Sequence, residues 1–366
     1  MNQSLGVLKT SNSPNRALSA ALGQLLEKGL VDAVMAPGVL EGSNLPMPML
    51  FVKAEAMDAS LPLAPAAGVS AAVQAGRMGR GTKDKRLAVV LKPCEVRAVI
   101  ELAKLHQTSL ESLVLISMEC FGRMENSSYL EMLTNNPDLP DAYLDDPGLQ
   151  EKATPTCLSC DAFEPVGADL IIHLTGMNIK NEIGITGVTK TGKELTAAMS
   201  LEQTSSFPDQ TRAISELREK RALAKEELFK NIRETFEDSG RCLEFLGNCL
   251  GCFNCRTACP VCYCRECVCA RESFDRDLED VLTRAGRSGL ARLPGGLSMF
   301  HMTRLAHMSH ACVGCGQCSS VCPSAIPVAD LFRTLGADVQ KALDYSPGRD
   351  SEEPIPYLRF KTEAGS

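Results

Sequence analysis

Cysteines are the residues of this chain whose number and spacing point most clearly to chemistry. The sequence holds 17 cysteines among 366 residues, and thirteen of them lie between Cys242 and Cys322. The N-terminus lacks the apolar core of a secretory signal, so a reducing cytoplasmic location is expected. Reducing conditions disfavour a disulfide framework, and the count is odd. Dense cysteine in such a protein therefore indicates metal or redox chemistry.

Two runs of four cysteines repeat the spacing Cys-x2-Cys-x2-Cys-x3-Cys-Pro. In bacterial ferredoxins the fourth cysteine of such a run ligates the cluster of the other run. Gly251, Gly314 and Gly316 let backbone amides approach the sulfur atoms. The rule predicts two 4Fe-4S clusters with exchanged fourth ligands. The first cluster is assigned to Cys249, Cys252, Cys255 and Cys322, and the second to Cys312, Cys315, Cys318 and Cys259.

Zinc is the alternative metal for these runs, since it also binds four thiolates. Zinc sites usually present two separated Cys-x2-Cys pairs, so two compact quartets ending in Cys-Pro favour iron–sulfur clusters. A further group of four cysteines follows the first run, and Cys242 precedes it. This group could ligate another cluster, bind zinc or pack as small buried side chains, and its spacing leaves the three open. Its members are Cys262, Cys264, Cys267 and Cys269.

The other four cysteines lie in the first half, near the ends of strand-like segments. Cys94 follows LAVVL, Cys120 follows SLVLIS, and Cys157 and Cys160 form a Cys-x2-Cys pair before ADLIIHLTG. Loops at the carboxyl ends of strands in open α/β sheets are where ligands gather. The four could hold one more cubane, or they could be two core cysteines and a zinc-type pair without partners.

The elements that must position these cysteines indicate an α/β fold for residues 1–200. VDAVMAP, RLAVVL, SLVLIS and ADLIIHLTG read as short buried strands. Ser13 and Pro14 open a helical pattern that ends near Gly29, and KPCEVRAVIELAKL reads as another helix. Residues 206–240 are highly charged and predict a helical linker. Residues 241–335 form the predicted ferredoxin-like module, and 336–366 an extended tail.

Four separated blocks between about residues 15 and 180 resemble one known family. They read ALSAALGQLLEKGLVDAVM, KRLAVVLKPCEVRAVIELAKL, LVLISMECFG and CLSCDAFEPVGADLIIHLTG. They are similar to the beta subunits of coenzyme F-420 (deazaflavin) hydrogenases and of related formate dehydrogenases. The matching positions are Pro93, Cys94, Cys120, Phe121, Cys157, Cys160, Asp161, Phe163, Ala168 and Asp169. The added ferredoxin-type module is typical of the formate-dehydrogenase branch.

The resemblance implies that the first half is a flavin-type α/β domain. It implies that Cys94, Cys120, Cys157 and Cys160 hold a 4Fe-4S cluster next to a bound flavin, FAD. Ser11, Asn12 and Ser13 stand at a helix start, where backbone amides could bind the flavin pyrophosphate. The alternative for these three residues is a simple helix cap. Two to four 4Fe-4S clusters are expected, with three as the central number.

The function predicted from the sequence is an electron-transfer subunit of a cytoplasmic, anaerobic oxidoreductase complex. Its expected partners are formate dehydrogenase, hydrogenase or heterodisulfide-reductase-like subunits. Two alternatives are a flavin-free iron–sulfur wire and a zinc-stabilised scaffold. A formal charge of −7 argues against nonspecific binding to nucleic acid, and no apolar run is long enough to span a membrane.

Overall fold

The computed structural model describes residues 4–81, 84–264, 266–270, 278–290 and 297–358. Within them, residues 4 to 203 build one mixed sheet of eight strands with the order β3-β2-β4-β5-β6-β7-β1-β8. The strands are β1 Ser4–Lys9, β2 Ala33–Gly38, β3 Met47–Phe51, β4 Leu87–Leu91, β5 Leu113–Met118, β6 Leu170–His173, β7 Glu182–Gly187 and β8 Glu202–Gln203.

The centre of the sheet is parallel, since β2, β4, β5 and β6 pair in parallel. The other neighbours pair antiparallel. The parallel strands carry continuous apolar runs, and every residue of β4 and β5 is buried. Such runs are expected where helices or loops cover both faces of a sheet.

The helices of the described residues fall between and after the strands. They are α1 Pro14–Glu27, α2 Ala71–Met78, α3 Pro93–Lys104, α4 Asn126–Asn135, α5 Leu139–Asp145, α6 Pro147–Gln150, α7 Pro155–Leu158, α8 Lys190–Ala198, α9 Gln210–Glu237, α10 Ser239–Phe245, α11 Asn254–Thr257, α12 Leu278–Ser288, α13 Leu297–Met308, α14 Gln317–Ser320 and α15 Val328–Ala342. Short 3-10 turns cover Ala54–Ala59, Val268–Ala270 and Pro356–Leu358.

Successive residues of each central strand face two different apolar cores, as the period of two requires. Ala88 and Val90 of β4 join a core with Leu18 and Leu22 of α1. Leu87, Val89 and Leu91 face a second core, which includes α3 and continues into the cysteine-rich half. The members of this second core from the cysteine-rich half include Phe300, Leu305, Met308, Val328, Leu331 and Phe332. The two halves therefore share one core.

The predicted α/β class is confirmed, as are the four predicted strands and the helices α1 and α3. The charged segment is the helix α9, which buries Arg221, Phe229 and Ile232. The prediction of an extended tail from residue 336 is wrong for its first part, because α15 continues to Ala342. Beyond it, the Tyr345 hydroxyl donates to the buried Glu101 carboxylate at 2.6 Å and anchors the tail to α3. Residues 359–366 lie outside the described residues.

Candidate metal centres

The first ferredoxin-type run and the last cysteine of the second run surround one cavity. Phe300, His301 and Ile326 help to close it. The cysteines that line it are Cys249, Cys252, Cys255 and Cys322. These are the four that the sequence assigns to the first cluster.

A second cavity collects the complementary set. Arg304, Phe332 and Arg333 form part of its wall. Its cysteines are Cys259, Cys312, Cys315 and Cys318. Each run thus contributes its fourth cysteine, the one before proline, to the cavity of the other run. A cubane core needs four thiolates around one void, and both cavities offer that donor set.

The two runs also share a backbone conformation around their second cysteine. Gly251 and Gly314 precede that cysteine and both have φ of 67°. Phe253 and Gly316 follow it, with φ of 57° and 75°. Left-handed residues of this kind turn successive amides toward one point and create an anion-binding concavity. Accordingly, the amide of Gly314 donates a hydrogen bond to the Cys312 sulfur.

The first-half cysteines meet at the carboxyl ends of β4 and β5. Cys94 is the second residue of α3, and Cys120 follows β5. The amide of Gly122 donates to Cys120 Sγ at 3.4 Å. A Cβ placed on Gly122 would lie 2.9 Å from Cys157 Cβ, so Cys157 packs directly against this turn. The thiol of Cys120 also interacts electrostatically with that of Cys94.

Cys160 is tied to Cys120 through an arginine of α9. Arg221 is 4% exposed. It donates to the carbonyl oxygen of Cys120 at 3.0 Å and to that of Cys160 at 3.4 Å. Its guanidinium also lies 4.7 Å from the ring centroid of Phe163. The structure therefore brings the side chains of Cys94, Cys120 and Cys157 together and ties the backbone of Cys160 to that of Cys120.

Three arginines dock the cysteine-rich half onto the first half at these thiols. Arg97 of α3 donates to the Val313 carbonyl at 2.8 Å. Arg333 of α15 donates to the carbonyl oxygens of Thr156 and Ser159 at 2.9 and 2.8 Å. Arg123 Nη1 donates to Gln317 Oε1 at 2.7 Å.

At this interface two predicted clusters become neighbours. Cys94 belongs to the first-half set and Cys315 to the second ferredoxin-type set, and the two thiols interact electrostatically. The first-half set and the second cavity are therefore adjacent.

Burial makes these thiols poor acids in the absence of a metal. Burial, with the neighbouring Cys157 thiol, raises the pKa of Cys120 to about 11. Burial, with the neighbouring Cys259 thiol, raises the pKa of Cys315 to about 12. A metal must displace these protons, because thiolates are the ligating form. None of the seventeen cysteines forms a disulfide.

The remaining group of four cysteines lines a third cavity of about 440 Å³. Arg304, His307, His310 and Tyr357 also line it. Its cysteines are Cys262, Cys264, Cys267 and Cys269. Cys269 is buried, whereas Cys264 is exposed. The structure brings these four cysteines to one cavity. The three roles considered from the sequence, which are a further cluster, zinc binding and simple packing, stay predictions.

The start of α1, a predicted site for a flavin pyrophosphate, already holds a carboxylate. Asp141 of α5 accepts from the Asn15 amide at 3.0 Å and from the Ser13 hydroxyl at 2.8 Å. The amides of Asn12 and Ser13 donate to the carbonyl oxygens of Lys180 and Thr10. Ser11 and Asn12 have positive φ, of 48° and 69°. The pyrophosphate role of Ser11, Asn12 and Ser13 stays a prediction, and their surroundings support the cap.

A smaller cavity of about 20 Å³ lies beside the first-half thiols, and this volume admits a water molecule but not a flavin ring. It runs from Cys120 toward α5. Lys92, Cys120, Gly122, Tyr143 and Leu63 are among its lining residues. Lys92 brings a positive charge and Tyr143 an aromatic side chain.

No group of three or more histidine, cysteine, aspartate or glutamate side chains in the described ranges could hold a single metal ion. Among the helices of the described residues, none combines the length and the apolar character needed to cross a bilayer.

Sequence reasoning missed the arginines that surround the thiols, because they act across long sequence separations. Arg304 is the arginine whose importance the local sequence pattern could have indicated. It lies on the buried stripe of α13, which otherwise consists of Phe300, His301, Leu305 and Met308. A permanently charged residue at a core position of a helix indicates a partner or a functional role.

Comparisons with known proteins agree with the family resemblance. No protein-family model matches the chain. The chain is 25% identical to the F420-dependent formate dehydrogenase subunit beta of Methanocaldococcus jannaschii, over 92% of this chain and 93% of that protein. It is 27% identical to the F420-dependent formate dehydrogenase 1 subunit beta of Methanococcus maripaludis, over 92% of each. The predicted resemblance and the prediction of an oxidoreductase subunit are confirmed.

One solved structure is distantly similar to this chain. A chain in the structure of the F420-reducing [NiFe] hydrogenase complex from Methanosarcina barkeri aligns with 65% of this chain and 94% of its own length. The TM-score is 0.46 and the sequence identity is 12%.

Proposed function

We propose that this relative of formate dehydrogenase beta subunits is an iron–sulfur electron-transfer subunit of an oxidoreductase complex. The observation that carries the proposal is the exchange of Cys259 and Cys322 between the two ferredoxin-type cavities. Zinc sites are usually built from two separated Cys-x2-Cys pairs, whereas paired ferredoxin runs exchange their fourth cysteine ligands.

Three cysteine sets would hold 4Fe-4S clusters, which supply one-electron transfer when bound. The first-half set consists of Cys94, Cys120, Cys157 and Cys160. The other two sets are those of the ferredoxin-type cavities. Arg221 lies beside the first-half set, and Arg304 interacts electrostatically with thiols of the other two sets. Positive charge at these places fits anionic cysteine-ligated centres better than neutral thiols.

The residues arrange the three sets in a row. Cys94 of the first-half set neighbours Cys315 of the second ferredoxin-type set. That set is joined to the first ferredoxin-type set through the exchanged Cys259 and Cys322. The first set reaches the surface, where Cys252 is exposed and Leu250 is 61% exposed. A partner subunit would exchange electrons at that end.

We also propose that the first half binds FAD, because the family that it resembles carries a flavin. When bound, it would interconvert electron pairs and single electrons. The catalytic partner would be formate dehydrogenase, hydrogenase or heterodisulfide-reductase-like subunits in the cytoplasm.

A flavin-free wire is the second candidate function. The observation in its favour is the Asp141 carboxylate at the start of α1, where it takes the position of a bound anion. The Asn12 and Ser13 amides donate to the Lys180 and Thr10 carbonyl oxygens, so a pyrophosphate at this place would have to displace these bonds and meet the negative charge of Asp141.

The test is an inventory of metal, sulfide and flavin on the full chain purified without oxygen. We expect about twelve iron atoms and as many sulfides per chain, four for each of three cubanes. Visible absorbance should bleach with dithionite. One FAD per chain supports the flavoprotein, and its absence after reconstitution supports the wire. About sixteen iron atoms would place a fourth cluster in the third cavity. Colourless protein with zinc in place of iron would contradict the proposal.

A further inference from the structure

Arg304 of α13 is a buried cation without adequate partners in the described structure. It is 3% exposed. Among the described residues, its Nε and Nη1 atoms have no hydrogen-bond partner. The guanidinium lies 4.4 Å from the ring centroid of Phe332, and a ring face compensates only part of a full charge. A buried, unpaired charge is unfavourable unless anionic groups stand nearby.

The groups that surround this cation are thiols from every cysteine set of the second half. Arg304 lines both the second ferredoxin-type cavity and the third cavity. The thiols that interact with it electrostatically are Cys255, Cys259, Cys262 and Cys318. Cys255 belongs to the first set, Cys259 and Cys318 to the second, and Cys262 to the third group. As neutral thiols they would leave the guanidinium uncompensated.

We propose that Arg304 is a shared counter-cation that raises the reduction potentials of both ferredoxin-type clusters. The inference rests on the proposed function, because it needs the clusters. Each cubane takes up one electron and becomes more negative by one charge, with no bond formed or broken. The electron comes from the neighbouring centre. A fixed positive charge that interacts with two such centres favours their reduced states, since net charge and burial help to set cluster potentials.

Arg333 gives a contrast within the same cavity. It is also buried, but it donates to Thr156, Ser159 and the Ser159 hydroxyl, so its partners define a docking role. Among the thiols, Arg333 interacts electrostatically with Cys312 of the second set, whereas Arg304 also interacts with Cys255 of the first set. Its charge should therefore influence one cluster, whereas that of Arg304 influences two.

The experiment is an EPR-monitored redox titration of the full chain, prepared without oxygen with its clusters loaded. Arg304→Met removes the charge and keeps apolar volume, while Arg304→Lys keeps the charge. In Arg304→Met we expect the reduced-to-oxidised ratio of both clusters at a fixed potential to fall at least tenfold, or 59 mV for one electron. Arg304→Lys should restore most of the shift. Arg333→Met should shift the second cluster alone.

Each outcome has a defined meaning. Unchanged potentials in Arg304→Met at full iron content would overturn the inference while leaving the proposed function intact. Wild-type protein without iron would instead remove the proposed function. If Arg304→Met loses iron, Arg304→Gln provides a second neutral variant. Iron lost in both neutral variants and kept in Arg304→Lys supports the charge role. Iron lost in all three overturns it, because shape rather than charge would then be required.

Discussion

Phe253 and Gly316 hold equivalent positions in the two ferredoxin-type runs, yet only one of them is a glycine. A non-glycine residue with φ of 57° costs of order 1 kcal/mol or more and persists where the surroundings impose it. The Phe253 ring packs edge-on against Phe300, with centroids 4.8 Å apart. This contact holds the residue in its conformation and seals the first cavity. The packing of the Phe253 ring beside the thiols therefore offsets the backbone strain at this residue.

The exchanged cysteines give the sharpest prediction at the scale of single residues. Cys259→Ser should damage the cluster at Cys312, Cys315 and Cys318 more than the cluster of its own run, because Cys259 lines the other cavity. EPR of each reduced variant separates the two signals.

The matched control for that variant is Cys242→Ser. Cys242 lies outside the cavities described above and should leave both signals intact. Loss of the cluster at Cys249, Cys252 and Cys255 in Cys259→Ser would show that the ligands are not exchanged.

Glu119 gives a prediction about pH. Its carboxylate accepts from the amides of Leu174 and Thr175 at 2.9 and 2.6 Å, and from His173. Burial raises its pKa, but these hydrogen bonds lower it more, so the pKa lies below its usual value of 4.5. The stability that the charge provides is therefore complete above the unfolded-state pKa and is lost as the pH falls through the folded-state pKa.

We expect Glu119→Gln to lower the free energy of unfolding by about 1–3 kcal/mol at pH 7, with a smaller difference from wild type near pH 4. Urea denaturation over that pH range measures both. Glu182→Gln, which removes an exposed pair with Lys9, is the control and should change stability by less than about 1 kcal/mol. A pH-independent difference would show that Glu119 is not ionised.

At the scale of elements, α9 does more than connect two halves. The charged pattern of its sequence predicts a solvated linker, but its Arg221 reaches the carbonyl oxygens of Cys120 and Cys160. A polar helix can therefore shape a metal site through one buried residue. The arginine fixes the two turns that carry predicted ligands.

Arg221→Met should reduce occupancy of the first-half cluster while sparing the ferredoxin-type clusters. Two hydrogen bonds from a charged donor are lost, each worth about 1.5–3 kcal/mol, and the turns at Cys120 and Cys160 become free to separate. Iron per chain and cluster-specific EPR intensity measure the effect. Arg218→Met, in the same helix, loses an exposed pair with Glu164 and should retain all clusters. Equal iron in both variants would contradict the role of Arg221.

The central strands were predictable and the outer ones were not, for a physical reason. β4 and β5 are continuous apolar runs because both of their faces are buried. β3 contains a proline and β7 contains Gly184 and Gly187, which weaken any local strand signal. β1 pairs with β7 across most of the first half, so its place depends on a distant partner.

At the scale of the whole molecule, part of the arrangement of the predicted sites could be inferred from the sequence. The exchanged ligands follow from a local motif rule, so spacing alone predicts the cysteines that share each cavity. The proximity of Cys94 to Cys315 does not follow from spacing, because it arises when α3 docks against the second run. The buried arginines are likewise tertiary features. Spacing predicts which cysteines share a cavity. The order of the three cysteine sets along the molecule depends on how the two halves pack together.

That order depends on how firmly the two halves are joined. One apolar core crosses the boundary, with Val96 and Val99 of α3 in the same cluster as Met308 and Phe332. Arg97 and Arg123 add polar contacts that fix the rotation of one half against the other. A large shared core resists separation, whereas directional hydrogen bonds set the distance between Cys94 and Cys315.

The double variant Arg97→Met and Arg123→Met should therefore loosen the interface without unfolding either half. We expect faster amide hydrogen exchange in 313–320 and slower electron transfer between the first-half and second clusters, with iron content unchanged. Hydrogen-exchange mass spectrometry and rapid-freeze EPR measure the two effects. Arg241→Met, at the exposed start of α10, is the control. If exchange and transfer rates match the wild type, the apolar core alone sets the spacing, and the arginines are dispensable.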